Sequence, residues 1–218
     1  MAIPVPQAFP PIPEAAIASY NYTDIAEGTG ITRFNCAANT NNSATSYILT
    51  TNTIYSNPLF TAVTVANNAN YTKELDVDFD LSAFNTPKTV KGTAYLNIDW
   101  RLAKDGGTSA TGWLNCIVKH WDGTTETTLA TTSGATLHDV AAEATEGEIM
   151  ENFKFTLPQT HFKKGDSIRL TVEGYGKCDG DTATLSIAHD PQNTNGGLGG
   201  ANEVASTMTL DIPFRLDF

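Results

Sequence analysis

The chain has 218 residues, 24 acidic against 13 basic, for a formal net charge of -11, and only 17% of its residues are charged. A chain of this size buries roughly 70% of its unfolded surface and can form one domain, while an acidic balance without a basic run excludes recognition of nucleic acid or anionic membranes, because nothing is available to replace phosphate counterions. Thr and Asn are abundant, which suits exposed strand faces and turns better than helix surfaces.

Residues 1–14 carry Pro4, Pro6, Pro10, Pro11 and Pro13 interleaved with Ile3, Val5, Phe9 and Ile12. Proline at this density excludes a helix or a central strand and favours polyproline II, which at about 3.1 Å per residue spans about 40 Å. A disordered leader has no need of these large apolar side chains, whose burial is worth roughly 6–12 kcal/mol gross. Residues 1–16 are therefore read as an arm that docks on another surface through Ile3, Pro4, Val5, Pro6, Phe9, Pro10, Pro11, Ile12 and Pro13. Stiffness lowers the ordering cost of such docking. The segment lacks the basic and continuous apolar regions of a signal peptide, and no stretch has the length of a membrane span, so synthesis in the cytoplasm without a cleaved signal is expected.

Residues 17–218 read as a single β domain. Residues 15–22 are compatible with a strand or one helical turn. Residues 29–37, with Ile31 and Phe34, and residues 45–50 are predicted strands separated by the polar loop AANTNNSA. In residues 51–70, Leu59, Phe60, Val63 and Val65 supply strand material. From Tyr71 the pattern sharpens: Leu75, Val77 and Phe79 alternate with Glu74, Asp76, Asp78 and Asp80, giving one apolar and one acidic face. Val90, Ala94, Leu96, Ile98 and Trp100 continue as a long strand, with Gly92 marking a bulge. After the loop KDGGTSAT, residues 112–121 form a strand whose core face is Leu114, Cys116, Val118 and His120, opposite Trp113, Asn115, Ile117, Lys119 and Trp121. Asp122-Gly123 predicts a hairpin turn into TTETTLATT, and residues 133–148 hold the one plausible short helix or a polar loop.

The domain is organised around residues 153–191. Phe153, Phe155 and Leu157 alternate with polar residues up to a break at Pro158, a turn follows at Lys164-Gly165-Asp166, and Ile168, Leu170 and Val172 alternate in a second strand. Leu185 and Ile187 give a third, ended by His189-Asp190-Pro191. After the loop NTNGGLGGANE, the last strand carries Met208, Leu210, Ile212, Phe214, Leu216 and Phe218 on one face, with Pro213 at an edge or a local break. About eight to ten strands without βαβ alternation or a short repeat predict an all-β, antiparallel β-sandwich of jelly-roll topology.

The residues that carry chemistry are sparse. His120, His138, His161 and His189 lack metal-ligand spacing, and Cys36, Cys116 and Cys178 form no CxxC pair, although a bridge between Cys36 and Cys178 stays open. There is no GxSxG, HExxH or P-loop. The glycines of residues 196–200 precede a strand, so they form a flexible loop, not a phosphate cradle. The run Cys178-Asp179-Gly180-Asp181 offers too few oxygens for calcium. Asp76, Asp78 and Asp80 suit a solvated strand face better than a glycosidase acid/base pair. No catalytic residue, metal or cofactor is expected. Trp113 and Trp121 share a strand face and are candidates for stacking on sugar rings.

The run ENFKFTLPQTHFKKGDSIRLTVEGYG, then LSIAHDP, then STMTLDIPFRLDF resembles the C-terminal half of jelly-roll virion proteins of tailed viruses, the capsid decoration or cement proteins and related head-surface proteins; PVPQAFPPIPEAA followed by TDIAEGTG fits the same picture. The resemblance implies a non-enzymatic protein of the capsid surface that forms a homo-oligomer, expected to be a trimer. Its arm would grip the major capsid protein or another virion protein. The alternative is a carbohydrate- or receptor-binding sandwich that uses Trp113 and Trp121.

Overall fold

The computed structural model describes residues 29–41, 44–105, 109–140, 147–194 and 207–215. Its strands are β1 (Thr29–Asn41), β2 (Ala44–Thr50), β3 (Phe60–Val65), β4 (Thr72–Leu81), β5 (Lys88–Lys104), β6 (Ser109–Trp121), β7 (Glu126–Ser133), β8 (Leu137–Val140), β9 (Gly147–Phe162), β10 (Ser167–Asp179), β11 (Ala183–Ala188) and β12 (Thr209–Arg215). The described residues contain no helix. The all-β sandwich expected from composition and alternation is what forms.

Two layers face each other across one core. In the first, β5 pairs with β9 along one edge, while β12 and β11 lie end to end along the other. In the second, β10 runs between β4 and β6, and the far edge of β6 is shared by β7 and β8. β1 joins the layers: its first half pairs with β12 and its second with β2, which meets β4 in parallel. The pairs β1–β12, β3–β11, β4–β10 and β5–β9 are nested, as in a long hairpin rolled up on itself. That is the order of a jelly roll.

Alternation explains the core. Leu96, Ile98, Trp100 and Leu102 of β5 and Phe153, Phe155 and Leu157 of β9 are buried with Leu75, Val77 and Phe79 of β4, Leu114, Cys116 and Val118 of β6, and Leu170 and Val172 of β10. Phe84 packs edge-on against Phe162 and Phe214 at one end. On the side away from β1, Glu151 of β9 accepts the Trp100 indole N–H at 3.0 Å and the Ala135 N–H at 2.6 Å, tying the chain after β7 to the opposite layer.

Four expectations need correction. AANTNNSA is largely strand, because β1 runs on to Asn41 with each residue from Asn35 paired to β2. Pro158 does not break β9. Gly92 pairs with Leu157 and Val90 with Thr160, so Pro158 and Gln159 bulge opposite Lys91, where no ladder N–H is required. Residues 137–140 are strand: β7 stops pairing at Asn115, and β8 fills the edge of β6 that remains from Ser109 to Gly112. Residues 141–146 lie outside the described ones. Finally, Cys36 and Cys178 are not bridged; all three cysteines are free and buried. Pro213 does sit at a break, since β12 loses register with β5 between Asp211 and Phe214.

Candidate functional site

Functional side chains concentrate on the outer face of β4, β10 and β6. Registers place them in rows: Lys73, Tyr175 and Trp113; then Asp76, Glu173 and Asn115; then Asp78, Thr171 and Ile117; then Asp80, Arg169 and Lys119. The acidic face expected on β4 is therefore laid against basic residues from two other strands. Arg169 Nη2 donates to Asp80 Oδ2 at 2.8 Å, its Nη1 reaches Glu126 and, at 3.4 Å, Asp78, and its Cζ lies 4.9 Å above the Trp121 ring. Lys119 pairs with Glu126 at 2.8 Å and Lys73 with Asp76 at 2.6 Å. The hydrogen bonds to Asp80, opposed by partial burial, raise the Arg169 pKa further above its usual value. The Lys119 bond holds Glu126 below the usual range.

Asp76, Asp78 and Asp80 are thus ion-pair partners in place, which is the solvated-face role and not an acid/base pair across a cleft. Arg169→Met is expected to lower stability by about 1–3 kcal/mol, because Asp80 loses its bidentate partner and Asp78 and Glu126 are left to share Lys119. Arg169→Lys should recover little, since an ammonium cannot bridge Asp80 with two parallel bonds. Urea midpoints check both, and equal stability of the Lys variant and the native chain would remove the bidentate argument.

At the other end of the face three rings meet. Trp113 and Tyr175, cross-strand partners, stack with centroids 5.4 Å apart and planes within 8°. Tyr71 meets Trp113 edge-on at 4.3 Å, and Lys177 Nζ lies 4.7 Å from the Tyr71 centroid. Beside them, Glu173 accepts from Asn115 Nδ2 at 2.8 Å, Tyr175 Oη at 3.1 Å and Lys73 Nζ at 3.1 Å. Burial works against the Glu173 carboxylate, but these donors outweigh it and hold its pKa below the usual value. Burial, then the Glu173 carboxylate, pushes the Tyr175 phenol up. Trp121 is eight residues further along β6, roughly 26 Å away, so the two candidate tryptophans do not form one platform. Sequence reasoning found Trp113 but missed Tyr71 and Tyr175.

His189, His120 and His161 are structural. His189 is fully buried, with Nδ1 3.2 Å from Ser56 Oγ and Nε2 2.9 Å from Thr61 Oγ1, which in turn is 2.9 Å from Tyr47 Oη. Desolvation lowers its pKa to about 4. A serine touching a histidine suggests a nucleophile, but Ser56 is also fully buried and its hydroxyl is committed to the Pro58 carbonyl and the Ala38 N–H. Asp190 turns to the following loop, accepting from Gln192 N, Thr194 N and Thr194 Oγ1. His120 Nε2 lies 2.7 Å from Asp166, clamping the Lys-Lys-Gly-Asp turn to β6, and His161 is 3.2 Å from Thr89 Oγ1. His138 lies in β8.

No group of three His, Cys, Asp or Glu side chains able to hold a metal is found among the described residues. Burial pushes the Cys36 and Cys116 thiols up, as in inert core cysteines. Asp181 accepts the Thr182 N–H at 2.9 Å, as a turn carboxylate does. The arm residues Ile3, Pro4, Val5, Pro6, Phe9, Pro10, Pro11, Ile12 and Pro13, and the glycine loop at 196–200, lie outside the described residues.

The sequence matches no protein-family model and no curated protein. Among solved structures, the chain is similar to a CocE/NonD family hydrolase from Staphylococcus aureus, at 13% identity over 86% of this chain and 37% of that one, with a TM-score of 0.47. It is also similar to an alpha-amino acid ester hydrolase, at 10% identity over 64% and 25%, TM-score 0.42. A third is the VP2 protein of infectious bursal disease virus, at 12% identity over 87% and 46%, TM-score 0.27. The chain spans between a quarter and half of the length of these proteins. The expectation that the chain is no enzyme is corrected here, since hydrolases stand among the structures to which it is similar. Viral capsid proteins are also among the similar structures, and the assignment to tailed viruses is narrower than these likenesses reach.

Proposed function

We propose that this chain is a structural protein of a virion, a capsid decoration or cement protein that grips the shell or a neighbour with residues 1–16 and oligomerises, as a trimer, through its sandwich. What supports the reading is the first described strand that follows the arm in the chain. This is β1, which is flanked by β12 over Thr29 to Asn35 and by β2 over Asn35 to Asn41. Load on a docked arm is thereby passed to the strand that holds the two layers together, and not to a peelable edge. A protein that binds the assembled shell but not its free subunits stabilises the shell by mass action.

The reading is tested with the full chain and a chain starting at Glu14. Light scattering after size exclusion gives the mass of each, and each is then mixed with candidate shells and sedimented. The full chain is expected to be trimeric and to co-sediment, while the shortened chain stays folded and remains in solution. Equal co-sedimentation of both would overturn the anchoring role of the arm, and a monomeric full chain the trimer.

A further inference from the structure

We infer that the ring cluster of Tyr71, Trp113 and Tyr175 is a binding site for an uncharged carbohydrate. This goes beyond the virion reading and does not depend on it. The first support is rigidity. Tyr71 Oη is held by Thr111 Oγ1 at 3.1 Å, and Tyr175 Oη is held by Glu173. With their hydroxyls engaged and Trp113 stacked on Tyr175, the rings are fixed in orientation, and Tyr71 is 38% exposed. A pyranose offers a matching apolar face of C–H groups that such rings cover.

The second support is the polar row beside the rings. Glu173 and Asn115 are directly opposite each other, one outward position along from Tyr175 and Trp113. Glu173 accepts from three groups and Asn115 Oδ1 from Thr131 and Ser133, which leaves the second Asn115 N–H and one carboxylate lone pair as the donor and acceptor a ring of hydroxyl groups requires. Charge decides against other ligands. Lys73 and Lys177 meet Glu74, Asp76 and Glu173 here, so charges of both signs line this corner. An anion would meet three carboxylates and a cation two ammonium groups, whereas a neutral polyol meets neither penalty.

The test is a tryptophan-fluorescence titration of the full chain with short neutral oligomers of glucose, galactose, mannose and N-acetylglucosamine. At least one is expected to saturate with a Kd near about 1 mM, equally at low and high salt. Trp113→Ala and Tyr175→Ala should weaken binding at least about tenfold, about 1.4 kcal/mol or more. Tyr71→Ala, at the exposed ring, should weaken binding while the chain still melts in one cooperative transition above the assay temperature, which separates lost contact from lost fold. Trp121→Phe, at the far end of β6, and the chain starting at Glu14 should both bind as the native chain does. The site is refuted if none of the four sugars binds, if Tyr71→Ala and Trp113→Ala bind unchanged, or if salt abolishes binding.

Discussion

Replacing Gly174 with leucine is expected to prevent folding, and Gly174→Ala to cost about 1–3 kcal/mol, a fall of roughly 3–10 °C in Tm for a domain of this size. The position has the inward parity of β10, continuing the buried series Ile168, Leu170 and Val172. A Cβ there would stand 2.9 Å from Leu75 Cβ and 3.0 Å from Leu185 Cδ2. Leu75 Cβ is anchored to the neighbouring strand and cannot swing aside. Leu185 enters from the opposite layer on β11, and its methyl groups occupy the volume that the glycine leaves.

Gly176 repeats the arrangement two residues on, with both methyls of Val65 at 2.8 Å from a built Cβ. The two glycines are thus the counterpart of large side chains on β3 and β11. A double-mutant cycle distinguishes this from a general intolerance. Leu185→Ala alone should cost about 2–5 kcal/mol by leaving a cavity, but in the Gly174→Ala background the costs should be less than additive by at least about 0.5 kcal/mol. Strict additivity in thermal melts would show that Gly174 is not kept open for Leu185.

The same residues show how far the sequence could be read. Alternation with a period of two is local, and it located the inward faces of β4, β5, β6, β10 and β12 because each has one buried side. Partner choice is not local. β9, β10 and β11, consecutive along the chain, alternate between the two layers, and nothing in their own alternation says so. Residues 133–148 read as a possible helix because β8 has only the free end of the β6 edge to specify it. Pro158 read as a stop because the bulge that accommodates it depends on β5.

The candidate site follows the same division. The acidic row of β4 was legible, but Arg169, which neutralises it, stands 89 residues from Asp80. Trp113 was legible as an outward aromatic residue. Tyr175 has equally clear outward parity in β10, yet its pairing with Trp113 arises only when β10 inserts between β4 and β6. Glu173 and Asn115 could not be joined to the rings for the same reason.

Between pH 6.5 and 5 the native chain is expected to lose about 2 kcal/mol of stability through His189 alone. The imidazole is buried, and desolvation lowers its pKa to about 4 from an ordinary 6.5. Above pH 6.5 the ring is neutral in the folded and unfolded chains, and the full contribution is present. As the pH falls from 6.5 towards 4, the unfolded chain takes up a proton that the folded chain refuses, so stability drops; below about 4 both states are protonated and the loss levels near about 3 kcal/mol. The carboxylates held low, Asp122, Glu126, Asp166 and Glu173, act in a separate window. Their ordinary values are 3.8 and 4.5, so their contributions persist above these and fade only as the pH drops below them. The interval from 6.5 to 5 therefore isolates histidine. His120 and His161 are common to the native chain and to His189→Gln, so the difference between the two reports His189. The variant should be about 1–3 kcal/mol less stable at neutral pH, because Ser56 and Thr61 lose their partner, but the gap should close on acidification. Urea midpoints at neutral pH and near pH 5 measure it, and a gap that does not narrow would mean that the Ser56–His189–Thr61–Tyr47 chain accepts a proton without loss.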